Sequence, residues 1–321
     1  MGCFLIVFLL PVQVLLYNFI VMDLKAEISR LKKVKNAVIL AHNYQVPDVL
    51  DVADFIGDSF NLAERGLEVD ADIIVFCGVS FMAETAKILT PHKRVLLPSL
   101  AAICPMAAMV DVATVRFLKK EHPDAAVVSY VNTTADVKAE SDICCTSANA
   151  ISIVNSLPNK KVIMVPDKHL SAYVAAHTDK EIIAPKGFCY VHSKILPAAV
   201  NAAKAEHSNA EILLHPECPA ETLAMADQIL STAGMLRYVM DSDNDEFIIG
   251  TEEGMIDVLQ RNAPTKKFYP VGGVCVQQKK VNLERVYDAL NEEKNEIFVD
   301  EEVARKAFDA IQRMLKAGRH D

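Results

Sequence analysis

Short apolar runs alternate with amphipathic stretches along most of the chain. NAVILAHNYQ (36–45), AAVVSYVNTT (125–134) and AEILLHPECP (210–219) each carry a brief apolar run that breaks into polar residues. His42, Tyr130 and His215 stand at equivalent places where these runs end. A second set follows: DIIVFCGVSFMAETAKIL (72–89), SDICCTSANAISIVNSL (141–157) and ADQILSTAGMLRYV (226–239). Each of these passes from an apolar strand through small hydroxyl residues to a helical period. A third predicted strand in each copy leads to a cysteine. Such runs, separated by helical patterns, predict βαβ units whose parallel sheets are covered on both faces. Ligands bind beyond the carboxyl ends of the strands in sheets of this kind. All nine predicted ends carry polar or sulfur-bearing residues. Ahead of them, MDLKAEISRLKKVKNAVIL places Leu24, Ile28, Leu31 and Val34 on one helical face.

The cysteine-bearing stretches repeat as well. RVLLPSLAAICP, IIAPKGFCYVH and KKFYPVGGVCVQ each set a cysteine a few residues after a proline, as Pro98/Cys104, Pro185/Cys189 and Pro270/Cys275. The three cysteines are 85 and 86 residues apart, too long an interval for a solenoid repeat. The chain therefore reads as a triplicated α/β protein. Three copies of one α/β unit with parallel sheets are expected, arranged about a common centre that would carry the active site. The expected units are 22–107, joined by C-terminal helices in 281–321, then 108–193 and 194–280. Nine strand ends from three sheets meet only around a common centre, and that arrangement brings Cys104, Cys189 and Cys275 together.

Three convergent thiolates suit two kinds of centre. Zinc would take His192 or His215 as a fourth ligand, but structural zinc sites usually draw ligands in local pairs, and these cysteines have none. An iron–sulfur cluster accepts scattered ligands, and with three cysteines one iron keeps an open position that acts as a Lewis acid. Cys77 lies inside an apolar strand and reads as core. Cys144, Cys145 and Cys218 lie near strand ends and compete for ligation. Ser147 and Thr232 precede helical stretches, where they are either N-caps or part of an anion site. Glu217, in the segment His-Pro-Glu, is a general acid–base candidate.

Composition narrows the partners. The chain has 321 residues, 51% of them hydrophobic and 23% charged, with a net charge of −9. That balance excludes a basic nucleic-acid footprint, while a locally positive pocket would still admit small anionic substrates. Eight cysteines in no disulfide-like arrangement point to a reducing, cytoplasmic setting. Residues 3–21, CFLIVFLLPVQVLLYNFIV, carry no charge and approach the roughly 20 residues that a membrane helix needs. No Lys or Arg precedes them, so the positive region of a signal peptide is missing. Residues 1–21 are read as an apolar leader or a misplaced start, with translation expected to begin at Met22 and no membrane association expected.

AHNYQ, GDS at 57–59, CGVSFMAETAKIL, CPMA, YVNTTADVKAESDICCTSAN, CYVH, HPEC and STAGM together resemble the quinolinate synthase family. The resemblance runs from about Met22 to the end, with the motifs in the family's order. It implies three α/β/α domains around a pseudo-threefold axis and a [4Fe–4S] cluster held by Cys104, Cys189 and Cys275. It also implies condensation of iminoaspartate with dihydroxyacetone phosphate to quinolinate, releasing phosphate and water, for NAD synthesis. Iminoaspartate contacts would fall on His42, Ser59, Tyr130, Asn132, Ser147, His215, Glu217 and Thr232. Tyr44, Glu217, His42 and His192 would move protons. An L-aspartate oxidase or dehydrogenase would supply the iminoaspartate. Cys275 is followed here by VQQKK and lacks the C-x-x-C-x-x-C run of some members. Two other readings are an iron–sulfur dehydratase acting on another hydroxy acid and a membrane-tethered solute receptor. The receptor reading leaves the cysteine interval without a reason.

Overall fold

The structure, a computed structural model, describes residues 22–319. Among them lie twelve strands: β1 Ala37–His42, β2 Phe55–Gly57, β3 Ile73–Cys77, β4 Arg94–Leu96, β5 Ala126–Tyr130, β6 Ile143–Cys145, β7 Lys161–Val165, β8 Glu181–Ile183, β9 Glu211–Leu214, β10 Gln228–Ile229, β11 Glu246–Gly250 and β12 Lys267–Pro270. They form three four-stranded sheets with the same order, β2-β1-β3-β4, β6-β5-β7-β8 and β10-β9-β11-β12. Every strand pairing within them is parallel. Helices alternate with the strands, so the three α/β/α units expected from the pattern are present. The central strands are buried on both faces, as Ile39, Leu40, Ile74 and Val75 show.

One feature recurs at the same place in each sheet. Asp54, Asp142 and Asp227, each just before the second strand, accept the N–H of Ile39, Val127 and Ile212 at 2.8, 2.7 and 2.8 Å. Each aspartate also donates its own N–H to that partner's carbonyl, at 2.9 to 3.0 Å. A carboxylate clamp repeated three times ties the first strand to the loop entering the second.

The copies contain four strands where the pattern suggested three, and the alignment shifts accordingly. DIIVF is the third strand of its sheet, β3. The true counterpart of the 141–157 and 226–239 segments is β2 with the helix Ser59–Glu68. β2 is only three residues long, so its apolar signal was drowned by the stronger run after it. The cysteines follow the fourth strands. In the first helix, residues 22–34, Ile28 and Leu31 are buried as expected, but Val34 is 69% exposed, because the helix turns its last residue away from the sheet.

The two C-terminal helices part company. Leu283–Glu292 packs against β3 and residues 47–52, and Ile297 then donates to the Val95 carbonyl at the edge of β4, at 2.8 Å. Glu301–Ala317 packs instead against β6 and Ala135–Ala139 while also touching Ser80–Leu89. It bridges the first two units rather than joining the first alone. The apolar stretch 3–21 lies outside the described residues. Among the described residues, no helix is long and apolar enough to cross a membrane.

Candidate active site

A cavity lies where the carboxyl ends of the three sheets meet. Its wall is built in equivalent ranks. The first strands contribute His42 and Tyr44, Tyr130 and Asn132, and His215 and Glu217. The second strands lead into Asp58 and Ser59, Thr146 and Ser147, and Thr232. The fourth strands lead into Cys104, Cys189 and Cys275, with His192 three residues beyond Cys189. All thirteen candidate residues from the sequence line this one cavity. Cys77, Cys144, Cys145 and Cys218 are fully buried and do not line it. Three of them sit within strands, and Cys218 points its thiol at the Gly250 carbonyl, 3.7 Å away.

The local geometry of the first rank repeats. His42 Nδ1 accepts the N–H of Tyr44 at 3.2 Å, and His215 Nδ1 accepts the N–H of Glu217 at 3.4 Å. Each histidine thereby aims the residue two positions on into the cavity. The His192 and His215 rings stack with centroids 4.5 Å apart.

A chain of hydrogen bonds crosses from unit to unit. Tyr130 donates its O–H to Glu217 Oε1 at 2.5 Å, and His192 Nδ1 lies 2.9 Å from Glu217 Oε2. His192 Nε2 lies 2.9 Å from Thr251 Oγ1, which lies 2.6 Å from the Tyr44 hydroxyl. Burial pushes the Glu217 carboxyl up, but the His192 and His215 rings and the bonds from His192 and Tyr130 outweigh it and hold the group ionised. The ionised carboxylate accepts the N–H of His192 Nδ1, and Nε2 faces the Thr251 hydroxyl. Burial raises both tyrosines well above their usual range, so they rest as phenols. Thr251 was not anticipated. It follows β11 in an unremarkable GTEE segment, and only folding sets it between Tyr44 and His192.

A family model described as "NadA: Quinolinate synthetase A protein" matches residues 26–316. The chain belongs to the quinolinate synthase family. It is 53% identical over 294 residues to the quinolinate synthase of Methanoregula boonei, covering 91% of this chain and 97% of that protein. It is 50% identical over 298 residues to that of Pyrococcus furiosus, covering 92% and 98%. The relative from Alkaliphilus metalliredigens is 48% identical over 293 residues, covering 90% and 97%.

The cavity has a wall that suits a metal centre. The three cysteine thiols face the same space, and Cys104 is close enough to feel both Cys275 and Cys189 electrostatically. Burial pushes Cys104 up to about 12 and Cys189 up as well. Such thiols ionise only when a cation supplies the compensating charge. The backbone already anticipates this. Met106 and Ala107 aim N–H groups at the Cys104 sulfur, and Val191 and His192 do the same at Cys189. These donors sit two and three residues past Cys104 and Cys189, an arrangement that favours thiolate. Cys189, His192 and Glu217 also bring one donor atom each within 4.8 Å of one another. The His192 and Glu217 atoms are engaged in the hydrogen-bond chain described above, which weakens the zinc reading. The donor set is compatible with an iron–sulfur cluster.

His42 gives a pH signature. Burial lowers it from 6.5 to about 4, so the folded protein keeps it neutral where the unfolded chain would protonate it. The sign follows from linkage: stability falls as pH drops from about 6.5 toward 4, by about 3 kcal/mol. In the cluster-free protein, urea unfolding should show a steeper loss of stability between pH 7 and 4.5 than in His42→Gln. Equal slopes would show that His42 is not held neutral.

Proposed function

We propose that this chain condenses iminoaspartate with dihydroxyacetone phosphate to give quinolinate, releasing phosphate and water. The observation that carries the reading is the hydrogen-bond chain Tyr130–Glu217–His192–Thr251–Tyr44, set against a wall of three cysteines in one cavity. Cys104, Cys189 and Cys275 would hold a [4Fe–4S] cluster, which would supply Lewis acidity for dehydration. Every other step falls to side chains. Ser59, Ser147 and Thr232 present hydroxyls, and the starts of the helices Ser59–Glu68 and Thr232–Asp241 present N–H groups, to the carboxylates and phosphate of the substrates. His42, His215, Tyr130 and Asn132 line the same space and orient the iminoaspartate.

Proton movement runs along the chain of hydrogen bonds. The Tyr44 hydroxyl passes its proton through Thr251 to His192 Nε2, and Glu217 stabilises the imidazolium that forms. A phenolate at Tyr44 is then positioned to remove a proton from a bound intermediate, and reversal of the chain returns one. Burial makes a Tyr44 phenolate costly, and the pairing of the His192 imidazolium with the Glu217 carboxylate offsets part of that cost. The three units are read as domains 22–107, 108–193 and 194–280. An oxygen-labile cluster suits a reducing compartment, the cytoplasm, where an L-aspartate oxidase or dehydrogenase supplies the unstable imine.

The deciding experiment is an anaerobic assay. Protein reconstituted with iron and sulfide, given dihydroxyacetone phosphate and freshly generated iminoaspartate, should form quinolinate, and cluster-free protein should not. A loaded cluster that makes no quinolinate would point to a dehydratase acting on another hydroxy acid.

A further inference from the structure

Three equivalent residues, one from each unit, converge on a single dipeptide near the C-terminus. Asp58, Asn149 and Ser231 are the N-cap residues of the helices Ser59–Glu68, Ala150–Ser156 and Thr232–Asp241, each of which follows the second strand of its sheet. Each holds its own corner locally. Asp58 Oδ1 accepts the N–H of Asn61 at 2.9 Å, Asn149 Oδ1 that of Thr146 at 2.8 Å, and Ser231 Oγ that of Gly234 at 3.1 Å. Gly318 and Arg319 then join the corners. Arg319 Nη2 donates to Asp58 Oδ2 at 2.6 Å and to Ser231 Oγ at 3.0 Å, and Nη1 donates to Asn61 Oδ1 at 3.2 Å. Asn149 Nδ2 donates to the Gly318 carbonyl at 2.8 Å. The Arg319 and Asp58 side chains are only 15% and 11% exposed.

These corners carry Ser59, Ser147 and Thr232 into the cavity, and Asp58 itself lines it. We propose that Arg319 is a positioning residue for the substrate end of the cavity: with the Gly318 carbonyl it pins the three helix starts at fixed separation and neutralises Asp58, so that the wall does not repel anionic substrates. The proposal rests on reading the cavity as a site for small anions. Its physical basis is the planar guanidinium fork, which reaches two units at once; an ammonium at the same place is a point charge that cannot span them. A helix start displaced by a fraction of an ångström no longer presents its N–H groups to the same point, and affinity falls before chemistry does.

The test uses the full chain, reconstituted without oxygen, as wild type, Arg319→Ala, Arg319→Lys and the double variant Arg319→Ala/Asp58→Asn. Iron and sulfide should be unchanged in all four. In Arg319→Ala the KM for dihydroxyacetone phosphate should rise about tenfold, with kcat changing much less, as expected for lost charge-assisted hydrogen bonds. Amide exchange at Asn61 and Gly234 should quicken. Arg319→Lys should fall between wild type and Arg319→Ala in both readouts. The double variant should recover part of the KM while exchange stays fast, which separates the charge of Asp58 from the pinning. Wild-type KM in Arg319→Ala, even with faster exchange, would make the residue a structural staple and overturn the proposal; unchanged exchange at both amides would overturn the pin. Should the wild type make no quinolinate at all, the functional reading fails, and the exchange measurements still decide the pin.

Discussion

Cys104→Ala, Cys189→Ala and Cys275→Ala proteins, reconstituted with iron and sulfide in the absence of oxygen, should each retain no cluster and make no quinolinate. The three cysteines come one from each unit, at the ends of loops after β4, β8 and β12, so no neighbouring thiol can replace a lost one. The nearest alternatives, Cys144, Cys145 and Cys218, are fully buried in the packing of strands and strand ends. Losing an outer partner of a metal ligand typically costs about 10- to 100-fold in metal affinity or activity, and loss of a ligand should exceed that. Cys77→Ala is the control. It deletes a buried sulfur from β3 and should cost about 1 kcal/mol of stability while leaving iron, sulfide and turnover intact. The measurement is iron and sulfide per chain together with the rate of quinolinate formation. Full iron and turnover in Cys189→Ala would remove the cysteine site from the mechanism.

Thr251→Val should lower kcat by about 10²-fold, the low end of what a positioned proton-transfer group contributes, with iron content unchanged. Thr251 Oγ1 joins Tyr44 to His192, at 2.6 and 2.9 Å. Valine keeps the volume and removes the hydroxyl, so the relay opens while the packing stays. The buried Tyr44 hydroxyl and His192 Nε2 then lose a partner, at a cost of about 1–3 kcal/mol in stability. Thr251→Ser should recover most of the rate, because it restores the hydroxyl with one methyl fewer. Glu217→Gln should be at least as damaging as Thr251→Val, since it removes the charge that stabilises the His192 imidazolium. A Thr251→Val enzyme with the wild-type kcat would show that protons reach the substrate by another path.

Much of the site was legible because the chain repeats itself. The cysteines of the proline–cysteine stretches recur at 85 and 86 residues, and parallel sheets put strand ends on one side, so the sequence alone places the cysteines together with the first-strand residues His42, Tyr130 and His215. The copy-to-copy alignment of the second strand was not legible. β2 and β6 are three residues each and β10 two, and a strand that short has almost no periodicity of its own. The roles of Ser147 and Thr232 were ambiguous for a related reason. A hydroxyl residue ahead of a helix has the same signature whether it caps the helix or faces a ligand, and here the cap at 231 and the cavity residue at 232 are adjacent.

Two things came only from folding. Thr251 and Arg319 have no motif around them, and each acquires its position from contacts across more than 50 residues of chain, Thr251 with Tyr44 and His192, Arg319 with Asp58 and Ser231. Local periodicity and repeat spacing report which residues share a strand end, because those are properties of neighbours along the chain. Which hydroxyl links a tyrosine to a histidine, and which guanidinium joins two units while the carbonyl before it takes the third, depends on distances of a few ångströms between segments far apart in sequence, and only the packed structure sets those.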